Sequence, residues 1–134
     1  MAAAAFFNTK KIMTVIDLGL GNITTINTLN GKLSDSASIG GLNNRQGIVS
    51  VELSFSVNFL SGTPKFRLQQ SLDNVKWDDV RDNDGAAIDV TITQTLTTAV
   101  FTATFVNVHT SYVRIKGTAS GSNGTISGIK ILAK

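Results

Sequence analysis

The chain contains no cysteine, one proline, one histidine, one tryptophan and one tyrosine, and Glu52 is its only glutamate. Without cysteine there is no disulfide, no thiolate nucleophile, no iron–sulfur cluster and no cysteine-ligated zinc. A hydrolase triad would have to recruit His109, but Val-Asn-Val-His-Thr-Ser around it holds no G-x-S-x-G elbow, so it reads as an ordinary loop histidine. A glycosidase needs two opposed carboxylates, one with a raised pKa. With one glutamate, that pair would have to come from an acidic segment that reads as solvated. No enzyme, catalytic residue or cofactor is expected. Charge is also scarce, at 16% of residues with a net +3, and Lys10-Lys11 is the only adjacent cationic pair. Phosphate recognition needs clustered cations, so nucleic acid is not an expected partner. No stretch approaches the ~20 apolar residues of a membrane helix. The short run in MAAAAFF precedes its lysines instead of following them, the wrong order for a secretory signal. A soluble chain without a membrane partner is the expectation.

What the chain does have is alternation. Val49, Val51, Leu53, Phe55, Val57 and Phe59 are apolar at every second position, with Ser50, Glu52, Ser54, Ser56 and Asn58 between them, the pattern of a strand with one buried face. Similar patterns occur in Phe66–Gln70, Ala86–Ile92, Phe101–Phe105, Tyr112–Lys116 and Ile126–Leu132, with Lys11–Asp17 a further candidate. Gly, Asn, Asp and Ser cluster between them at 19–22, 30–31, 40–44, 61–64, 82–85 and 120–124, and read as turns. Thr, Val and Ile are abundant and lose side-chain freedom in helices. The fold class is therefore all-β, an antiparallel β-sandwich of jelly-roll or immunoglobulin-like type, with almost no helix. At 134 residues, one domain over 11–134 with an N-terminal arm over 1–10 is expected. Residues 20–46 read either as a long connection, as irregular edge strands or as an arm reaching another subunit.

The segment QSLDNVKWDDVRDNDG, 70–85, holds Trp77 and five of the acidic residues. Asp82-Asn-Asp-Gly85 resembles part of a calcium loop. With Gly85 placed sixth, however, Val80 falls first and Thr91 twelfth, where carboxylates are required. An EF-hand is rejected, and a looser metal site could draw only on Asp78, Asp79, Asp82 and Asp84. A self-capped turn is the simpler reading, because Asp and Asn bond their own backbone and tolerate left-handed conformations. Gly19 and Gly21 form G-x-G after a strand-like run, but Thr24 stands where a dinucleotide fingerprint needs a small residue. Trp77 and Tyr112 could stack a sugar ring on an open sandwich face, with Asp78 or Asp82 accepting hydroxyls. The simpler reading makes Trp77 a core residue of its strand.

Phe66-Arg-Leu-Gln-Gln-Ser-Leu-Asp-Asn-Val-Lys-Trp-Asp-Asp-Val80, Ser111-Tyr-Val-Arg-Ile-Lys116 and Thr125-Ile-Ser-Gly-Ile-Lys-Ile131 together resemble a pattern in small β-sandwich proteins of tailed-phage virions. There a strand ends in S-x-D-G/N, a tryptophan opens the next strand, and a late Y-V-R strand precedes a final one. The likeness covers about the second half of the chain and none of residues 1–60. It implies a structural role at the virion, as a capsid auxiliary or decoration protein or part of a head fibre or tail. The partners it implies are the major capsid protein or another shell protein, and copies of the chain itself. In that reading Phe6 and Phe7 of the apolar arm are the partner-binding residues, gaining about 25 cal/mol per Å² buried.

Overall fold

The computed structural model describes residues 14–40 and 50–133, so the arm with Phe6 and Phe7 lies outside the described residues. The elements are β1 (Thr14–Asp17), a 3₁₀ turn (Ile26–Thr28), β2 (Ala37–Ser38), β3 (Val51–Ser71), β4 (Asp78–Asp79), β5 (Val90–Thr91), β6 (Thr95–Phe105) and β7 (Tyr112–Ala133). All pairings between strands are antiparallel. Among the described residues no helix is long and apolar enough to cross a membrane.

The alternation from Val51 to Phe59 is realised as expected, with all five odd residues buried and the even ones partly exposed. Beyond Phe59 the chain departs from the turn expected there. Ser61–Pro64 and Ser120–Gly124 do not end strands. They lie inside β3 and β7, of 21 and 22 residues, and pair with each other, Ser61 opposite Ser122 and Gly62 opposite Gly121. Phe55 and Phe66 would stand about 36 Å apart in a straight strand of ~3.3 Å per residue. Their ring centroids are 5.0 Å apart, so β3 folds over between them.

Gly62 (φ +100°) makes this corner, where a Cβ would come within 3.0 Å of the Gly121 Cα. An extra residue in β3 between Gly62 and Lys65 shifts the ladder and flips the buried parity from Val51–Phe59 to Phe66 and Leu68. The result is an antiparallel β-sandwich folded from one hydrogen-bonded sheet. One layer runs β1, the end of β7, the start of β3, β6. The other runs β2, the start of β7, the end of β3, then β4 and β5. Between the layers sits one core of buried aliphatic and phenylalanine side chains.

Of the three readings of residues 20–46, the described part, to Gly40, is an irregular edge along β7. Backbone bonds Ile126 N–H to Thr24 O (3.0 Å), Gly31 N–H to Gly117 O (2.9 Å), Ser34 N–H to Ile115 O (2.9 Å) and Ile39 N–H to Ser111 O (2.8 Å) track β7 in reverse order. Ile23, Ile26 and Leu29, every third residue, are fully buried in the core.

Candidate functional site

At one end of the second layer the chain reverses between Gln70 and Asp78, which are ladder partners. Asp73 builds the reversal. Its Oδ1 accepts from Val75 N–H and Lys76 N–H, both at 2.9 Å, and from Ser71 Oγ at 3.1 Å, while Asn74 takes the left-handed conformation (φ 62°). These bonds favour the ionised form and hold the Asp73 carboxyl below the usual carboxylate range. The turn presents two apolar side chains to solvent, Leu72 at 74% exposure and Val75 at 75%.

Trp77, expected in the core, is not part of it. It is half-buried just before β4, and the Arg114 guanidinium carbon lies 4.2 Å from the centroid of its ring. The reason is parity. Val113 and Ile115 point inward, so Arg114 projects from the outer face of β7, and the tryptophan folds onto that face. Arg114 is held from behind as well. Its Nε donates to Gln69 Oε1 (2.9 Å), Gln69 Nε2 donates to Asp79 Oδ1 (3.0 Å), and Arg67 donates to Asp79 Oδ2 (3.0 Å) and Asp89 Oδ1 (2.7 Å). Burial lowers the Arg114 pKa. Partial burial pushes the Asp79 carboxyl up. Hydrogen bonds from Gln69 and Arg67, with the charges of Arg67 and Lys116, outweigh it and leave the pKa below the usual value.

The remaining surface of Trp77 lines a shallow cleft of about 250 Å³ with Gln70, Leu72, Lys76, Asp78 and Thr110. Gln70 is fixed by three bonds. Its Nε2 donates to Asn107 O (3.2 Å), and its Oε1 accepts from His109 N–H (2.9 Å) and from Thr110 Oγ (3.4 Å). A second hollow shares Gln70 and Asp78 and is lined also by Asp79, Arg81, Asp82, Asn107 and His109. The cleft thus offers an aromatic wall, an ammonium and a carboxylate in a volume near the low end for small-molecule sites.

The structure joins some of the sequence candidates and separates others. Trp77 and Asp78 share the cleft; Tyr112 does not line it. Tyr112 opens β7 opposite Ser71 and Ser38. Asp82 and Asp84 belong to a turn in which Asp82 Oδ1 accepts from Asp84 N–H and Ala86 N–H, both at 2.9 Å. Among the described residues no three His, Cys, Asp or Glu side chains converge on a point where a metal could sit. His109 is an exposed loop residue that contributes its backbone N–H to Gln70. Sequence reasoning missed Arg114, Gln69 and Gln70 as parts of the site. Their one signal is the ladder itself, in which Gln69 stands opposite both Arg114 and Asp79.

No family model matches the chain, and no curated protein matches it. Among solved structures, a CBM4 carbohydrate-binding module is similar over 90% of this chain and 85% of its own, at 12% identity and a TM-score of 0.46. A CBM22 xylan-binding domain from Paenibacillus barcinonensis is similar over 93% of this chain and 98% of its own, at 15% identity and a TM-score of 0.43. Both likenesses are distant, and neither says what this chain binds.

Proposed function

We propose that this chain is a non-enzymatic binding protein whose cleft beside Trp77 takes a single ring of a neutral saccharide. The observation that carries the reading is the position of Trp77, outside the core and backed by Arg114, with Lys76 and Asp78 lining the same hollow. A sugar ring presents an apolar C–H face to an aromatic surface and hydroxyls around its rim. Lys76 donates to such hydroxyls, Asp78 accepts from them, and the fixed Gln70 amide keeps the floor from rearranging. Replacing Trp77 with Ala should weaken binding at least tenfold, about 1.4 kcal/mol. Two-dimensional amide spectra recorded during saccharide titration check this. Full-affinity binding by the variant would reject the site.

A second reading, as a structural component of a tailed-phage virion that attaches to the shell in many copies, rests on the sequence resemblance. Two of the three segments on which that resemblance rests lie side by side, from Arg67 opposite Lys116 to Ser71 opposite Tyr112, while Thr125–Ile131 continues the same strand beside Leu53–Asn58. In this reading the apolar arm contributes to the attachment, and deletion of residues 1–10 should weaken binding to shell particles while leaving the fold intact. Unchanged attachment would remove the arm from the account. The two readings are compatible, since a shell component can display a saccharide site.

A further inference from the structure

β6 is the one long strand among the described residues that is paired on a single side. Its partner is the start of β3, and no described strand lies beyond it. The other edges are short or irregular: β2, β4 and β5 have two residues each, and β1 has four. Short edges are a common protection against pairing with other chains, as are lysine, proline and inward charges. β6 has none of these, and its one irregularity, a shift of register against β3 between Thr95 and Ala99, leaves Ala99–Phe105 regular. There is no Asp, Glu, Lys, Arg or Pro anywhere between Asp89 and Arg114.

The side chains along this edge are those of an unfinished sheet. Ala99, Phe101 and Ala103 face the core opposite the buried Val57, Phe55 and Leu53, yet stay half-buried because no described strand covers their flank. Phe101 stacks on Phe55 with centroids 5.7 Å apart. On the outer face Val100 is 68% exposed, and Leu96 is 74% exposed. Leu96 lines a hollow shared with Leu60 and Asn123 at the corner of the long strands.

We propose that β6 pairs antiparallel with β6 of a second copy of this chain, joining the first layers of two sandwiches into one continuous sheet. The occupant is a strand, because the edge presents a row of backbone donors and acceptors. It is the same strand, because the sequence is complementary to itself. A two-fold axis through Val100, near the start of the regular stretch Ala99–Phe105, sets Ala99 opposite Phe101 of the copy. Small meets large, and no charge meets a like charge. The inference is independent of what the Trp77 cleft binds.

The test is the mass of the full chain by light scattering across a concentration series. The native protein should dimerise, Val100→Lys should be monomeric at the same concentrations, and Ser127→Lys should dimerise like the native protein. Ser127 is exposed on β7, and the lysine there adds the same charge away from the edge. The cysteine-free background permits a second reading of the same contact. Val100→Cys should cross-link to its own copy under mild oxidation, whereas Ser127→Cys should not. A native protein monomeric throughout, or a dimer that survives Val100→Lys and fails to cross-link at Val100→Cys, would overturn the proposal.

Discussion

Arg114 links the interior of the second layer to its surface. It covers Trp77 on one side and, through Nε, satisfies the buried Gln69 amide oxygen. Replacing it with Ala removes the ring contact and leaves that oxygen without its donor, a loss of about 1–3 kcal/mol for a buried acceptor. Urea unfolding should show this cost. Arg114→Lys should recover little, because an ammonium has no planar fork to stack and bond at once. Asp79, further along the same network, makes stability depend on acid. Its folded pKa is depressed, so its contribution is fully present above the unfolded value of about 3.9 and is lost as pH falls through the lower folded value. Urea midpoints measured from pH 7 to pH 2 should fall below about pH 4, and Asp79→Asn should flatten that fall.

At the scale of elements, the long strands show what alternation can and cannot reveal. Val51 to Phe59 are legible because a buried face imposes a period of two. The corners at Ser61–Pro64 and Ser120–Gly124 read as chain reversals because Gly, Ser and Asn favour turns. They are bends in a ladder whose pairing joins residues far apart in sequence, which no local pattern encodes. Ala86–Ile92 alternates well, yet only Val90–Thr91 pairs as a strand. On either side of it Ile92 N–H bonds to Pro64 O at 2.9 Å, continuing the pairing with β3, and Ile88 N–H bonds to Val80 O at 3.3 Å beside an isolated bridge between Arg81 and Ala87, so the segment changes partners along its length. The place of Trp77 is illegible for the same reason as the corners: its partner is Arg114, on a strand that comes much later in the chain. The polar turns are legible, since Asp73 and Asp82 bond backbone within their own loops.

Two substitutions probe the long strands and their packing. A Cβ at Gly124 would run into Asn58 O and stand 2.6 Å from the Phe59 Cβ, atoms of the facing strand that cannot yield cheaply. Gly124→Ala should cost about 3 kcal/mol, the upper part of the overpacking range, measured as a shift in the urea midpoint. Phe55 contacts Phe66 across the fold-over and Phe101 on the edge strand, so it ties both layers and β6 together. Phe55→Ala should cost about 3–5 kcal/mol, a large share of the ~5–15 kcal/mol typical of a whole domain. Calorimetry or chemical denaturation would register it directly.

For the molecule as a whole, the described chain separates its tasks in space. The core ties the two layers together, the Trp77 end of the second layer carries a fixed polar and aromatic hollow, and the uncharged β6 edge borders the first layer. Saccharide recognition at that hollow is open to direct measurement through the single tryptophan, since all indole emission arises beside the cleft. The native protein should be titrated to millimolar concentration with a panel of neutral mono- and oligosaccharides while the emission of Trp77 is followed. A saturable change is expected with at least one sugar, weakened about tenfold in Asp78→Asn. If no sugar alters either the emission or the amide spectrum, the cleft is not a saccharide site and the proposed function is wrong.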